Sequence, residues 1–408
     1  VSIVHYSCPP VIGGAEFIIE SQARWMNGYS ADVEVMVGEG EQFHDDIPVH
    51  QVESLGSDYS PAIEATEHYH EDAGERFEEV KDTIKNELRS VLDSSNTWFI
   101  HNLLTMPFNL PATVALRELS AETEAQVFPW THDIAWFDGD YHTPDEYPWS
   151  VMGKEANVET YVAISGKRKR QLEEIFDENV PIEVVYDAIE FDEFHELDST
   201  IQALYRDHKM YYDDIIALYP ARIVKRKNFE LALEIIAALK ETGYQLHFII
   251  TGPPDPHNPE TMEYFDELRE LRDDLGLQDE VIFCYEMDNP DGEGRFQVSF
   301  NRVRQLYRIS DVLIMSSLQE GFGLPLLEAG LTRTVICCSN IDPLPEVGGD
   351  APIYFDPEGD PAHIAGRIEE HLETQDAVLL QRRVRQNFTW PAIFEGHMVP
   401  LLNEQYPL

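Results

Sequence analysis

The sequence predicts an α/β fold built from two doubly wound, Rossmann-like domains, and three observations carry that prediction. Short β-branched runs alternate with helix-length segments along nearly the whole 408-residue chain, which is what a parallel sheet requires, because each return crossover needs a helix. The alternation comes in two series. One closes at Ile182-Glu183-Val184-Val185, and the next restarts at Ile215-Ile216-Ala217-Leu218-Tyr219. The length also suits two domains of ordinary size, each large enough for its own core.

Taken in order, the first series places strands over 1–7, 31–38, 97–102, 125–131 and 158–165, with a long, polar, solvated helix over 63–94. Residues 182–189 read as a connector. The second series places strands over 215–219, 244–251, 280–285, 311–317 and 334–338. From Phe388-Thr389-Trp390-Pro391 to Leu402 an apolar pattern of helical period follows a proline break. The expected division is 1–190 and 191–387, with the final segment 388–408 returning to the first domain. In open α/β sheets ligands bind at the carboxyl ends of the strands, where the strand order reverses.

Charge is the strongest compositional signal: 76 acidic residues stand against 29 basic ones, a formal net charge of −47, and only nine residues are Lys. Self-repulsion on this scale weakens a folded state in dilute buffer, whereas at molar salt the Debye length falls to about 3 Å and the penalty largely disappears. A salt-accumulating halophilic host is expected. Such a surface excludes general nucleic-acid binding, which neutralises phosphates with Lys and Arg. No apolar run approaches the roughly 20 residues of a membrane span, so membrane association is expected to be peripheral at most. Val1-Ser2-Ile3-Val4-His5-Tyr6 reads as a first buried strand and not as a secretory signal. Cys8, Cys284, Cys337 and Cys338 have neither metal-ligand spacing nor a disulfide framework. A reducing cytoplasm is the expected compartment.

Against this acidic background Glu320-Gly321-Phe322-Gly323-Leu324-Pro325-Leu326-Leu327-Glu328 is the most informative stretch. Pro325 suits the first turn of a helix, where its missing N–H costs nothing. The amides of Gly321, Phe322, Gly323 and Leu324 would then point outward at a helix N-terminus, which favours an anion such as a phosphate. Glu320 and Glu328 flank that turn, and carboxylates accept hydrogen bonds from hydroxyls. A phosphate carrying sugar hydroxyls, a nucleotide sugar, fits the pattern. Arg222-Ile223-Val224-Lys225-Arg226-Lys227 closes the first strand of the second series and supplies the local positive charge an anionic donor needs. Gly13-Gly14 and Thr251-Gly252 follow strands and allow close backbone approach, although such turns are common without a ligand. His101-Asn102 and Trp130-Thr131-His132-Asp133-Ile134-Ala135-Trp136 end neighbouring candidate strands beside aromatic residues, a set suited to a hydroxyl-rich acceptor.

Two further features have rival readings. Asp138-Gly139-Asp140 could hold a divalent metal on a diphosphate, but in so acidic a chain such triplets arise by chance. Lys167-Arg168-Lys169-Arg170 could face an anionic acceptor or a membrane, but charge runs at helix starts are usually solvated. Phosphate-loop, His-Glu-x-x-His and Gly-x-Ser-x-Gly motifs are absent from the sequence.

The chain resembles the retaining glycosyltransferases of family four, through Glu320 and Glu328 in a Glu-x7-Glu spacing, Arg222 and Lys227 in an Arg-x4-Lys spacing, the Gly13-Gly14 pair and the strand Asp311-Val312-Leu313-Ile314-Met315-Ser316-Ser317. The resemblance implies the GT-B arrangement, two Rossmann-like domains facing a central cleft, with the acceptor on the first and the donor on the second. It implies hexosyl transfer with retention of configuration from a nucleoside-diphosphate sugar, such as a mannose or glucose donor, to a glycan, glycolipid or small glycoside. In that scheme Glu320 holds the hexose hydroxyls, Glu328 the ribose, and Arg222 and Lys227 the charge on the leaving diphosphate. Gly13, Gly14 and Gly252 line the donor, His132 lies at the donor sugar, and His101, Asn102, Asp133 and Trp136 are on the acceptor side. No metal or other cofactor is expected. The sequence departs from the pattern at Asp187-Ala188, where Asn-Gly is usual, and near Cys284-Tyr285, where a glycine is missing. A nucleotide-sugar epimerase of the same fold would share the two domains without the Glu-x7-Glu pair, and a non-catalytic sugar-binding protein would tolerate loss of Arg222 or Lys227.

Overall fold

Seven strands of the first series are buried or edge segments of one sheet: β1 (Ser2–Ser7), β2 (Glu34–Glu39), β3 (Val49–Gln51), β4 (Thr97–His101), β5 (Gln126–Thr131), β6 (Tyr161–Ala163) and β7 (Ile182–Val184). The computed structural model describes residues 1–29, 31–92, 97–141, 143–176, 179–254, 259–289 and 294–402. The strand order is β3-β2-β1-β4-β5-β6-β7, and every neighbouring pair is parallel. A second sheet holds β8 (Ile215–Tyr219), β9 (Leu246–Ile250), β10 (Val281–Phe283), β11 (Val312–Met315), β12 (Val335–Ser339) and β13 (Ile353–Phe355) in the order β10-β9-β8-β11-β12-β13. It too is parallel throughout. The chain forms two compact units, Val1–Ile189 with Ile393–Leu408, and Glu190–Ala392.

The central strands are apolar on both faces because helices cover both: every residue of β4, β8 and β11 is buried. Three of the four edge strands escaped sequence reasoning; the fourth, β10, falls within the expected 280–285. β3 is largely exposed, β7 lies inside the stretch read as a connector, and β13, like the other edges, has only three residues. A strand that pairs on one side only can be this short, and three residues give too brief a run to show a period. The long helix expected over 63–94 is two helices, Ser60–Glu67 and Glu75–Val91. Between them Ala73 and Gly74 take positive φ of 56° and 82°, a left-handed turn that stops a helix. Residues 93 and 94 lie outside the described residues.

In each sheet the order reverses once, between β1 and β4 and between β8 and β11. Adjacent strands there send their crossovers in opposite directions, which opens a crevice at their carboxyl ends. At the amino ends of the same two strands, β8 and β11, a buried ion pair ties the last long helix to the sheet. Arg385, in the helix Asp376–Asn387, is fully buried and donates to both oxygens of Asp311, at 2.9 and 3.2 Å. It also donates to the Asp213 carbonyl at 3.0 Å, while Asp311 Oδ2 accepts the Ile216 amide at 2.7 Å. Removing one partner of such a pair leaves an uncompensated charge in a dry interior. Arg385→Ala is therefore expected to destabilise the second unit by about 3–5 kcal/mol, read from denaturant unfolding in concentrated KCl; a loss under about 1 kcal/mol, the range of an exposed pair, would contradict this reading.

Candidate functional site

The crevice of the second sheet collects the residues singled out in the sequence. β8 ends at Tyr219, and the turn after it carries Arg222 and the single helical turn Lys225–Lys227. β11 leads through Ser316 and Ser317 to Glu320. Lys227 Nζ is bonded to Glu320 Oε1, with the two side chains only 10% and 7% exposed. Ser317 Oγ donates to the same Glu320 oxygen at 2.6 Å. Glu320 Oε2 has the Arg226 guanidinium at 3.9 Å, outside hydrogen-bond range, so this oxygen keeps acceptor capacity.

Hydroxyls at the strand ends hold the basic turn in place. Tyr219 donates to the Lys227 carbonyl at 2.9 Å and lies 2.8 Å from Ser317 Oγ, and Ser316 Oγ donates to the Asn228 carbonyl at 2.6 Å. Burial raises the Tyr219 hydroxyl far above its usual range, so it stays protonated and can act as that donor. Gly252, at the end of β9, has a packing reason to be glycine. A Cβ there would stand 2.0 Å from the Ala221 carbonyl oxygen and 2.6 Å from Arg222 Cα. Arg222 itself is exposed, and its guanidinium has no ion-pair partner among the described residues.

The helix Leu324–Thr332 starts where the motif predicts, with Pro325 in its first turn and no side-chain cap. Gly323 caps it at φ 96°, a left-handed conformation that favours glycine, and a Cβ there would meet Leu344 Cδ2 at 2.6 Å. Gly321, Phe322 and Leu324 are exposed, and the amides of Gly321 to Leu324 have no intramolecular acceptor among the described residues. Unpaired N–H groups at a helix start attract anions. Glu328 is exposed one turn on, beside the Tyr307 hydroxyl. The second unit thus brings together Arg222, Lys227, Gly252, Glu320, Gly321, Phe322, Gly323, Leu324 and Glu328.

The first unit assembles its own group at the ends of β1, β4 and β5. Gly13 and Gly14 open the helix Gly14–Gly28, and the Glu16 carboxylate lies over Gly13, where a Cβ would approach Oε2 to 2.1 Å. Ser7 Oγ holds Glu16 Oε1 at 2.6 Å. His101 is fully buried, with Nδ1 2.9 Å from His132 Nε2 and Nε2 2.9 Å from Gln22 Oε1. Asn102 takes a left-handed φ of 56°, and its side-chain oxygen accepts the His132 and Asp133 amides at 2.9 and 3.0 Å. Both residues are engaged within the fold, so their effect on any ligand passes through His132 and Asp133. Asp133 is exposed and paired with Arg168 at 2.7 Å.

Other expected features separate into structural parts. Trp136 is half buried against Gly153. Tyr147 donates to Glu78 at 2.6 Å, and Trp149 packs edge-on to Tyr69, so much of the aromatic loop serves the core. In the cluster 167–170, Arg168 Nε donates to the His132 carbonyl at 2.7 Å and Lys169 to the Ile182 carbonyl at 2.8 Å, leaving Lys167 and Arg170 exposed. Asp138 Oδ1 accepts the Asp140 amide at 3.1 Å, and among the described residues no group of three or more His, Cys, Asp or Glu could hold a metal ion. Sequence reasoning gave no role to Ser317, Tyr219, Gln22 and Glu16: the first two stand three residues from Glu320 and Arg222, and Glu16 two from Gly14, but none carries a motif of its own, and Gln22 reaches His101 across 79 residues.

Comparison with known proteins places a family likeness on the second unit. Residues 201–388 match the family model of the glycosyl transferases group 1. The chain is 34% identical over 88 residues to O-antigen chain mannosyltransferase B of Escherichia coli, covering 21% of this chain and 23% of that protein. It is 32% identical over 96 residues to O-antigen chain mannosyltransferase RfbU of Salmonella typhimurium, covering 24% of each. It is 22% identical over 273 residues to mannosylglucosylglycerate synthase of Petrotoga mobilis, 62% of this chain and 61% of that one. The matches to the first two thus span about a quarter of each relative's length. Among solved structures, a glycosyltransferase from Rickettsia africae is 16% identical, with a TM-score of 0.37 over 99% of both chains.

Burial sets the protonation of His5 and His101 in the first unit. It pushes His5 down to about 4 and holds His101 well below its ordinary value, so both stay neutral in the folded protein, whereas unfolded histidines titrate near 6.5. The unfolded chain therefore binds more protons below about pH 6.5, and stability falls as pH drops from there toward 5, by about 1.4 kcal/mol per pH unit for each histidine once it is charged in the unfolded state. Urea unfolding at pH 7, 6 and 5 is expected to show this slope, and His5→Asn to reduce it by one proton. A flat profile in the wild type would contradict the buried neutral assignment.

Proposed function

We propose that the protein is a retaining, family-four hexosyltransferase that moves mannose or glucose from a nucleoside-diphosphate sugar to a hydroxyl acceptor, without a metal, in the cytoplasm of a halophile. The two units would form a GT-B enzyme, with the second binding the donor and the first the acceptor. One observation carries the reading: the sheltered Lys227–Glu320 pair stands at the switch crevice of the segment that matches the glycosyl transferases group 1 model, with Arg222 and the amides of Gly321–Leu324 free of partners among the described residues. The two relatives called mannosyltransferases support mannose as the sugar.

The parts have distinct roles in that reaction. When the bond from the anomeric carbon to the diphosphate oxygen breaks, negative charge grows on the diphosphate. Arg222 offers a planar fork to phosphate oxygens and Lys227 a point charge. Donors already aimed at developing charge lower the barrier with little reorganisation. The amides of Gly321–Leu324 add partial positive charge at the helix start. Glu320 accepts hexose hydroxyls, while Ser317 and Lys227 hold its carboxylate in one orientation. Glu328 accepts from the ribose, and His132 lies toward the transferred sugar. Gly13 and Gly14 permit close approach of a ligand to the first unit's backbone, while Asp133 and Trp136 serve the acceptor.

Transfer assays with GDP-mannose and UDP-glucose test this. Arg222→Ala is expected to fold normally, because the side chain is exposed, and to lose about 10- to 100-fold in kcat/KM, the loss of one or two charge-assisted bonds. Glu320→Gln is expected to lose at least as much. Wild-type turnover in a folded Arg222→Ala would remove the donor assignment. Activity is expected to survive EDTA; complete loss restored by Mg²⁺ or Mn²⁺ would favour metal binding at Asp138 and Asp140.

The net charge of −47 generates a separate expectation. In dilute buffer at 0.1 M ionic strength, carboxylates interact across about 10 Å, and dozens of them repel. Activity should fall as KCl is lowered from molar to 0.1 M, before far-UV circular dichroism changes. Highest activity with full ellipticity in the most dilute buffer would refute halophilic adaptation.

A further inference from the structure

Gln22 lies on the third turn of the helix Gly14–Gly28 and is fully buried, as are His101 and Met398. Its Nε2 is 3.9 Å from Met398 Sδ and its Oε1 is 2.9 Å from His101 Nε2. A thioether sulfur accepts a hydrogen bond weakly and has no hydrogen to give. With the amide turned the other way, a buried carbonyl oxygen would face sulfur without a donor, at the full desolvation cost of that group. The Gln22 amide is therefore oriented, and His101 carries its hydrogen on Nε2.

The consequence passes to His132. His101 is neutral because it is buried, so its Nδ1 is a bare lone pair and accepts from His132 Nε2 at 2.9 Å. His132 then has its hydrogen on Nε2. Its remaining nitrogen, Nδ1, lies 3.7 Å from Asp187 Oδ2. Asp187 Oδ1 is buried and has no hydrogen-bond partner among the described residues, while the Asp187 side chain as a whole is 35% exposed against 7% for His132, so the buried chain reaches the surface through Asp187. We propose that Gln22 and His101 are positioning residues that lock His132 in its Nε2–H tautomer, leaving Nδ1, beside Asp187, as the nitrogen offered to a substrate hydroxyl. The hydroxyl's identity rests on the transferase reading; the lock itself does not.

The lock fixes what His132 can do. With its hydrogen on Nε2, His132 accepts a hydroxyl hydrogen bond at Nδ1. Its other charged or titratable neighbours are His101, His5 with Glu16 acting on it, and Arg168, which holds the His132 carbonyl and pairs with Asp133. Met398 belongs to the returning segment Ile393–Leu408 of the first unit. That segment thereby sets a proton position at the far end of the chain of bonds.

Nuclear magnetic resonance of the full chain carrying isotope-labelled histidine reads each tautomer directly, and His132→Gln identifies the His132 signals by their loss. The wild type is expected to carry the His132 hydrogen on Nε2 alone at neutral pH. Gln22→Leu removes the acceptor, so His132 should shift to a tautomer mixture, and kcat should fall at least about tenfold while KM changes less than about twofold. Gln22→Glu, whose carboxylate still accepts from His101 Nε2, should keep the wild-type tautomer. A wild-type His132 with its hydrogen on Nδ1 overturns the proposal, as does a folded Gln22→Leu with unchanged tautomer and turnover. If Gln22→Leu fails to fold, the wild-type and Gln22→Glu spectra still decide. The expected tautomer in a protein that transfers no sugar from any nucleoside diphosphate would uphold the lock and remove the transferase reading.

Discussion

The reversal of strand order between β8 and β11 is the constraint on which the second unit's site depends. Both strands are parallel and fully buried, so neither can turn a ligand-binding side chain outward along its length. Chemistry is confined to the residues just past their carboxyl ends. Because the crossovers leave in opposite directions, the two strand ends are not roofed by one helix. Lys227 from one loop and Glu320 from the other therefore meet, although 93 residues separate them. The buried pair at the amino ends of these strands, Arg385 with Asp311, holds β11 and the last long helix in fixed relation.

Charge economy shapes the same region. In a chain with 29 basic residues, most cations are committed to acidic neighbours: Lys81 and Lys85 both pair with Glu118, and Arg272 and Arg269 with Glu286. Arg222 is one of several exposed guanidinium groups, with Arg170, Arg304 and Arg333, that have no ion-pair partner among the described residues; what sets it apart is its place just past the end of β8. Lys227 is the complementary case. Its charge is sheltered, and it is tolerable there because Glu320 compensates it at hydrogen-bonding range. Ser317 satisfies the same carboxylate, which leaves Glu320 oriented without occupying both of its oxygens.

The first unit solves a different problem. His101 and Asn102 end β4 and look from sequence like groups offered to a ligand, yet both are consumed by internal bonds. Asn102 uses a left-handed backbone and its amide oxygen to shape the turn at His132 and Asp133. His101 joins the helix Gly14–Gly28 to His132. Arg168, from a cluster that reads as a solvated charge run, supports the same turn through the His132 carbonyl and Asp133. Buried Asn102 and His101 thus hold His132, itself buried, and the exposed Asp133.

The sequence by itself determined the alternation of strands and helices, the two-series organisation, the helix start at Leu324 and the residues Arg222, Lys227, Glu320 and Glu328. These are local properties: β-branched runs, a proline in a first turn, a glycine at a positive φ, and a basic cluster in an acidic chain. Only the tertiary structure decided that the 63–94 segment breaks at Ala73 and Gly74, that β3, β7 and β13 complete the sheets, and that Gly252 is required by the backbone of Ala221 and Arg222. It alone joined Tyr219 and Ser317 to Lys227 and Glu320, and Met398 and Gln22 to His101 and His132. Hydrogen bonds across 79 or 376 residues leave no periodicity or spacing in a sequence, because they depend on which strand ends the sheet order makes neighbours.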